Sequence, residues 1–258
     1  SVMGNAACFD GYKQPQPPKA KFKVCVAAAG ASPLGQHIAM LLAMDPLVKE
    51  LCIHDVTISL VPAEGVAVDL AHIDRECIVK AYPLETNRRP VSFLEECLKG
   101  CSLVLIPSGA PRTPSQDFDD FVSINCGIAK SIVEACAAYC PNAIVGLGVK
   151  PGESVVPAMA RLYEKHGLDP RRIAGITTVH STRASKFVHE LTSVPIESIC
   201  VPVVGGFSSE SVLPLFSQVP ACRNLAQDKL EKLHERIREA DSEVTKAKRG
   251  KSGATLSM

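Results

Sequence analysis

The sequence has no tryptophan, few aromatic residues and almost no net charge. Aromatic residues make up 5% of the 258 residues, and 28 basic side chains are balanced by 27 acidic ones, for a formal net charge of +1. Without a basic field or stacking rings, the chain does not match the proteins that bind nucleic acid. Hydrophobic residues nevertheless reach 46%, which excludes a disordered or fibrous chain and indicates a sizeable core.

The eleven cysteines lack the spacing of a zinc site or of a disulfide framework. No CxxC pair occurs, and the closest pairs, Cys97 with Cys101 and Cys136 with Cys140, have no neighbouring histidine or cysteine to complete a metal set. The sequence shows no secretory signal. We therefore expect reduced core thiols, no metal, and an intracellular location in a reducing compartment, either the cytoplasm or an organelle matrix.

Residues 24–44 form the longest stretch without Asp, Glu, Lys or Arg, and by length they could span a membrane. Gly30, Pro33 and Gly35 interrupt this stretch, so a strand, a turn and a helix explain it better. We therefore predict no transmembrane segment.

From residue 21 onward, short apolar strands alternate with helical stretches. Strands are predicted at residues 22–27, 51–55, 103–106 and 143–147, and helices at 36–47, 125–139 and 223–249. Continuously apolar strands that alternate with helices are typical of a parallel sheet covered on both faces.

Two segments lie at the ends of this pattern. Residues 1–20 are polar and proline-rich and are predicted to form an extended arm. Residues 3–8 of the arm resemble an N-myristoylation start with a palmitoylatable cysteine, although Ser1 and Val2 precede it and Cys8 stands where Ser or Thr is preferred. The apolar residues of the helix at 223–249 repeat at spacings of three and four, which serves either a coiled-coil partner or packing on its own domain. A domain boundary is predicted near residue 150, which gives domains over 21–150 and 151–258.

The turn after the first strand meets part of the requirement for a dinucleotide site. Such a site needs glycines where the backbone approaches the pyrophosphate, a helix N-terminus, and an acid after the second strand. Gly30 and Gly35 lie in the turn, and Asp55 follows 25 residues after Gly30. However, no G-x-G-x-x-G occurs, Ala28 adds a methyl group where phosphate would lie, and Pro33 removes an N–H donor. The turn alone therefore fits a nucleotide site and a plain strand–turn–helix equally.

A series of longer strings follows in a specific order through the chain. They are Gly65–Asp74, Ile106–Pro114, Ile124–Ile128, Gly175–Thr178, Val201–Gly206 and Gly253–Met258. Together they resemble the NAD-dependent malate dehydrogenases of the mitochondrial or glycosomal type over residues 21–258. The resemblance implies a Rossmann-like doubly wound parallel sheet, followed by an α+β second domain of the lactate/malate dehydrogenase type that is incomplete at Met258. It also implies NAD as the cofactor, with Gly30, Gly35, Asp55 and Asn125 as the cofactor-binding residues.

The resemblance implies a catalytic pair that this sequence replaces. The family reduces oxaloacetate with a histidine as general acid, which an aspartate orients and supports. Phe207 stands at the position of that histidine and His180 at the position of the aspartate. Because a phenyl ring cannot transfer a proton, we assign no catalytic residue; His180 either acts from the opposite side or is a packed histidine.

The substrate side implied by the resemblance is also altered. Arg112 and Arg183 match two arginines that clamp a dicarboxylate substrate in the family. Phe118 stands at the position of a third arginine, and Lys150 at that of an asparagine beside the nicotinamide. The two arginines either bind a small anion or pair with Asp119-Asp120.

Three functions fit this resemblance. The first is a catalytically degenerate protein that serves as a structural or binding component of a larger assembly, with protein partners or as a homo-oligomer. The second is an active NAD-dependent 2-hydroxy-acid dehydrogenase in which Phe118 shifts the specificity toward a less polar or aromatic oxo acid. The third is a sensor that binds a nucleotide or metabolite through Asp55 and Asn125 without turning it over.

Overall fold

A computed structural model gives the structure of the chain over residues 20–27, 32–56, 61–84, 90–112 and 115–250. Its strands are Phe22–Ala27 (β1), Val48–Val56 (β2), Ile78–Leu84 (β3), Leu103–Ile106 (β4), Ile144–Leu147 (β5), Ile173–Gly175 (β6), Val203–Val204 (β7) and Leu213–Pro214 (β8). Its helices are Pro33–Met44 (α1), Ala63–Leu70 (α2), Pro90–Leu98 (α3), Phe118–Tyr139 (α4), Gly152–Lys165 (α5), Thr178–Thr192 (α6) and Gln227–Ala247 (α7). The arm, the glycine turn with Ala28 and Gly30, and the last string at Gly253–Met258 lie outside the described residues.

Six strands form one parallel sheet in the order β3-β2-β1-β4-β5-β6. The chain runs outward from β1 to β3 and then returns to build the other half from β4 onward. In sheets of this kind, ligands bind at the carboxyl ends of the strands, beside the point where the order reverses. The predicted Rossmann-like, doubly wound parallel sheet is confirmed.

The continuous apolar runs arise because helices cover both faces of the sheet. Successive residues of a strand point to opposite faces. Val24 and Val26 of β1 accordingly pack in a core with α1 and α2, whereas Cys25 and Ala27 pack in a core with α3, α4 and α5. Residues 24–44 thus divide into β1 and α1, with the turn between them outside the described residues.

Among the described residues, one helix, α4, is long enough and apolar enough to cross a membrane, judged by length and composition only. Its inward residues Ala129, Val133 and Cys136 pack against Val145 of β5 in the core of the sheet. Burial of this helix on the sheet therefore explains its apolar composition. The helix begins earlier than the predicted residue 125, because the Asp117 side chain caps it by accepting a hydrogen bond from the Asp119 N–H.

The second half of the chain contributes α6, α7 and the antiparallel pair β7–β8. Leu233 and Ile237 of α7 pack with Ala184 and Val188 of α6 in a third core. The apolar repeat of α7 is thus used for packing within its own domain. The boundary near residue 150 stays a prediction, and the sheet takes its sixth strand, β6, from beyond it.

The cysteines within the described ranges are free thiols, and most of them are buried as predicted. Cys200 departs from the expectation of a core thiol, because it is exposed. Its neighbours Ile199 and Val201 point into the core, so in an extended segment the intervening side chain faces outward.

Candidate functional site

Two adjoining cavities open at the carboxyl end of β5. The first has a volume of about 420 Å³ and reaches from the ends of β5 and β6 to the loop after β7. The second, of about 430 Å³, shares four residues with the first, Lys150, Gly152, Glu153 and Phe207, and is completed by α6 and α7. We call the two together the β5 cleft.

Phe207 stands in the β5 cleft between two polar side chains. Its ring meets the His180 imidazole edge-on, with ring centroids 4.8 Å apart. On another side, the Lys150 Nζ lies 4.5 Å from the centroid of the Phe207 ring, close enough for a cation–π contact. The ring therefore fills the position between the histidine and the lysine with apolar surface.

His180 is 3% exposed, and neither ring nitrogen has a hydrogen-bond partner among the described residues. Burial lowers the pKa of His180, and the neighbouring Arg183 charge lowers it further. Both effects favour the neutral imidazole over the imidazolium. A neutral imidazole without a carboxylate partner does not form the oriented pair that general acid catalysis uses.

Arg183 is 7% exposed, and an internal carboxylate neutralises its charge. Its Nη2 donates to Asp241 Oδ1 at 2.9 Å, and the Lys150 Nζ donates to Asp241 Oδ2 at 3.1 Å. Partial burial acts to raise the pKa of Asp241, but the Lys150 charge and the Arg183 hydrogen bond outweigh burial and lower it. The expected alternative partner for Arg183, Asp119-Asp120, was wrong because α7 brings Asp241 to the guanidinium.

Arg112 has a different environment from that of Arg183. It is exposed, its Nη2 donates to the Gln116 carbonyl at 3.3 Å, and its guanidinium carbon lies 5.5 Å from the Phe118 ring centroid. Asp119-Asp120 forms no ion pair with Arg112 in the described part of the chain. The structure thus gives the two arginines separate partners, one at the surface and one in the interior.

Glu153, at the start of α5, fixes the loop that carries Phe207. Its Oε1 accepts hydrogen bonds from the backbone N–H groups of Phe207 and Ser208, at 2.6 and 2.7 Å, and from the Ser211 hydroxyl at 3.0 Å. Partial burial acts to raise the pKa of Glu153, but these hydrogen bonds, led by that from Ser208, lower it. Gly205 has a φ of +91°, and a Cβ there would overlap the Ser211 carbonyl oxygen. The position of Phe207 is therefore held by the backbone as well as by packing.

Sequence reasoning missed Asp241 and Glu153. Asp241 follows Ile237 by four residues on α7, so it lies beside the apolar stripe and faces the protein rather than the solvent. An acidic residue four positions after a buried residue of the same helix predicts a cationic partner inside the protein. Glu153 carried no comparable signal, because an acid in the first turn of a helix is ordinary.

The nucleotide edge, at the carboxyl ends of β1, β2 and β4, has a different character. Ser32 caps α1 by accepting a hydrogen bond from the Gly35 N–H at 3.3 Å, and its hydroxyl lies 3.0 Å from that of Ser108. Asp55 is buried near the end of β2, where its carboxylate could hold the ribose hydroxyls of a dinucleotide. Gly30 lies outside the described residues. The residues present therefore fit a dinucleotide at its ribose end.

Asn125 is fully buried and fixes the loop after β4. Its Oδ1 accepts from the Ala110 N–H at 2.8 Å, and its Nδ2 donates to the Ala110 carbonyl at 3.1 Å. A Cβ on Gly109 would overlap the Asn125 side chain, so the loop and the amide are matched in shape. The amide thus shapes the nucleotide edge through the backbone of the loop.

A metal centre finds no support in the described ranges. No group of three or more His, Cys, Asp or Glu side chains there could hold a metal ion.

Comparisons with known proteins agree with this geometry. Residues 22–175 match the family model for the lactate/malate dehydrogenase NAD binding domain, and residues 177–258 match that for the lactate/malate dehydrogenase alpha/beta C-terminal domain. The chain is 40% identical to the mitochondrial malate dehydrogenase of Sus scrofa over 235 residues, which cover 90% of this chain and 67% of that protein. It is 38% identical to the mitochondrial malate dehydrogenase of Eucalyptus gunnii over 248 residues, which cover 96% of this chain and 68% of that protein.

Solved structures share the fold at lower identity. The apo malate dehydrogenase of Picrophilus torridus matches with a TM-score of 0.75 and 23% identity, over 92% of this chain and 72% of that one. The lactate dehydrogenase of Eimeria maxima with NADH and oxamate matches with a TM-score of 0.73 and 19% identity, over 92% and 71% of the two chains. With both family models matched in order and a parallel sheet of the expected strand order, the chain belongs to the lactate/malate dehydrogenase family.

Proposed function

We propose that this chain is a catalytically silent member of its family that serves as a structural or binding component of a larger assembly. The observation that carries the proposal is that side chains of the chain itself occupy the positions in the β5 cleft that a substrate would need. Phe207 packs on His180, and the Asp241 carboxylate takes up the charges of Arg183 and Lys150.

Proton supply is the first point in favour of the proposal. Reduction of an oxo acid needs a hydride, which NADH would supply when bound, and a proton from an acid beside the substrate oxygen. Burial and the Arg183 charge keep His180 neutral, and Phe207 carries no proton to give. Loss of a general acid costs a factor of about 10²–10⁴ in rate.

Substrate binding is the second point. An incoming carboxylate could pair with both Nη atoms of Arg183 only by displacing Asp241 from Nη2, although Asp241 is part of the same folded chain. An intramolecular partner competes at a high effective concentration, of the order of millimolar or above. A dicarboxylate therefore gains little from Arg183, and exposed Arg112 alone provides a weak clamp.

NAD binding is a separate part of the proposal. The match to the NAD binding domain and the placement of Asp55 near the end of β2 support retention of a nucleotide at this edge. Calorimetric titration with NAD and NADH tests this, with Asp55→Ala expected to weaken binding severalfold. Absence of binding at millimolar cofactor would reject a nucleotide role and leave a scaffold.

An active dehydrogenase with altered specificity is the second candidate. It is favoured by the 40% identity to mitochondrial malate dehydrogenases and by His180, which lines the β5 cleft with both ring nitrogens unpaired among the described residues. In this reading His180 donates the proton directly, and Phe118 favours a less polar or aromatic oxo acid.

NADH oxidation with oxaloacetate and a series of aliphatic and aromatic oxo acids separates the two candidates. The silent protein should show no turnover above the rate without protein. Phe207→His paired with His180→Asp rebuilds the histidine–aspartate pair, and Phe207→Leu serves as the control for the loss of the ring. If the unaltered chain turns over an oxo acid, the proposal of a catalytically silent protein is rejected. If Phe207→His then leaves the rate unchanged, His180 is assigned as the proton donor.

Partners and location stay predictions. Helix α1 exposes Met40, Leu41 and Met44, and nothing in the described residues shows what covers them. The relatives named above are mitochondrial proteins, which supports an organelle matrix over the cytoplasm for this chain.

A further inference from the structure

One core of the sheet domain collects an unusual number of thiols. The core between the sheet and helices α3, α4 and α5 contains six buried cysteines, which are Cys25, Cys52, Cys97, Cys101, Cys136 and Cys140. All of them are free. Cys25 and Cys52 lie in the middle of β1 and β2, and the other four lie where α3 and α4 end before β4 and β5. None of the six lines the β5 cleft, so the proposed function does not use them.

Four of these cysteines form one sulfur cluster, defined here as Cys25, Cys52, Cys97 and Cys101. Cys25 of β1 and Cys52 of β2 are register partners on neighbouring parallel strands, so their side chains share a face of the sheet. Cys97, in the last turn of α3, covers that face. Its Sγ lies 3.5 Å from the Sγ of Cys25.

The separation of Cys25 and Cys97 is short enough for a covalent bond to form with a small movement. A disulfide has a sulfur–sulfur distance of about 2.05 Å, so the two sulfurs would have to approach by about 1.5 Å. The sulfurs already touch across the interface between β1 and α3. No large rearrangement of either element is therefore required.

A charged group gives the sulfur cluster polar character at one end. Lys23 precedes Cys25 by two residues on the same face of β1, and its Nζ lies 3.3 Å from Glu50 and donates to the Glu96 carbonyl at 2.9 Å. The Lys23 and Glu50 side chains are each about one fifth exposed, whereas the four cysteines of the cluster are at most 6% exposed. A cation near a thiol favours the thiolate, which is the reactive form, but Glu50, which accepts from the Cys52 Sγ at 3.6 Å, opposes this effect.

The protons within the cluster are unequally held. Hydrogen bonds to Cys25 and Cys52 raise the pKa of Cys97, and burial raises it further. Hydrogen bonds from Cys101 and Cys97, together with the Lys23 charge, lower the pKa of Cys52 against the effect of burial. Cys97 is thus a thiol that holds its proton tightly.

We propose that Cys25 and Cys97 form a reversible disulfide when the protein meets a small peroxide. The Cys25 sulfur attacks one peroxide oxygen, the O–O bond breaks, and a sulfenic acid and one water form. The Cys97 sulfur then attacks the Cys25 sulfur, and the hydroxyl group leaves as a second water with the Cys97 proton. Two thiols lose two electrons and two protons, and the peroxide is reduced to two waters.

The test treats the reduced 258-residue chain with stoichiometric hydrogen peroxide, followed by denaturation, alkylation and peptide mapping. We expect a loss of two alkylated thiols, a fall in mass by two hydrogens, and a linked pair of peptides that contain Cys25 and Cys97. Dithiothreitol should reverse all three changes. The oxidised protein should also unfold at a higher urea concentration, since the bond joins β1 to α3.

Two variants sharpen the test. Cys97→Ser should abolish the linked peptides, whereas Cys222→Ser, which removes a buried thiol from a different core, should leave them unchanged. Oxidation confined to exposed Cys200 or half-buried Cys77, or sulfinic acids without a link, would overturn the proposal. The mapping of the unaltered chain decides the question even where a variant fails to fold.

Discussion

The nucleotide edge and the β5 cleft satisfy their polar groups in opposite ways. At the nucleotide edge, side chains bond to the backbone that they shape, as Asn125 does with Ala110 and Ser32 with Gly35. In the β5 cleft, charged side chains bond to one another, as Arg183 and Lys150 do with Asp241. The first arrangement fixes the backbone of the nucleotide edge, whereas the second neutralises two cations of the cleft with a carboxylate of the same chain.

This difference is what the proposed loss of activity predicts. Hydrogen bonds to the backbone preserve a loop whether or not a ligand binds, so the nucleotide edge can persist as part of the fold. A buried guanidinium without a ligand is costly unless a counter-charge accompanies it. Under the proposed function, Asp241 supplies this counter-charge in place of a substrate carboxylate.

The largest expected effect tests whether the loop of Phe207 is rigid. Gly205→Ala places a side chain at a φ of +91° and against the Ser211 carbonyl, so we expect destabilisation by about 2–4 kcal/mol. The control is Gly127→Ala on the exposed side of α4, where a Cβ meets no neighbouring atom. This change should raise the free energy of unfolding by about 0.5–1 kcal/mol, because alanine is favoured over glycine in a helix. Urea unfolding measures the change in the free energy of unfolding of each variant. Equal changes would show that the loop moves to accommodate the new side chain.

The next effect tests the internal counter-charge. Asp241→Asn leaves Arg183 buried without a carboxylate, and because Asp241 itself is partly exposed we expect a loss of about 1–3 kcal/mol. Asp228→Asn makes the same change at an exposed position of α7 and should cost less than about 0.5 kcal/mol. Calorimetric titration with oxalate should detect binding to Asp241→Asn and none to the parent chain. Loss of stability without any gain in anion binding would contradict the idea that Asp241 occupies an anion site.

The third effect concerns pH. The pKa of Asp241 is lowered in the folded protein, so its contribution to stability is present above the unfolded value of about 3.9 and is lost as the pH falls through the folded value. The pKa of His180 is also lowered, so stability falls as the pH drops below about 6.5, the unfolded value. His180→Gln should flatten the fall between pH 7 and pH 5, and His166→Gln at an exposed site should not. Urea midpoints across this range provide the measurement.

The smallest effect belongs to the nucleotide edge. Ser32→Ala removes the cap of α1 and should lower the free energy of unfolding by about 0.5–2 kcal/mol. Ser32→Thr keeps a hydrogen-bond acceptor and should change it by only a few tenths of a kcal/mol. If Ser32→Ala weakens NAD binding far more than it weakens folding, the hydroxyl contacts the cofactor directly. If both fall together, the cap acts through the helix.

Strands β1 and β4 could be predicted to the residue, because each lies in the middle of the sheet and is apolar apart from Lys23 near the start of β1. Strand β3 was missed because it lies at the sheet edge and carries Lys80, and β6 was missed because it has three residues. In the β5 cleft, Phe207 and His180 could be placed by resemblance. Asp241 could not, since its contact with Arg183 joins residues 58 positions apart and depends on how α7 packs.

Helix α7 also has a consequence for synthesis of the chain. Arg183 leaves the ribosome 58 residues before its counter-charge, and Lys150 precedes the same carboxylate by 91 residues. Until α7 arrives, the inward face of α6 bears an unneutralised guanidinium and lacks the cover that Ile237 provides. We expect the sheet domain to fold while α7 is still inside the ribosomal exit tunnel. The cleft can close only after α7 has emerged and docked, so docking of α7 is a late step of folding.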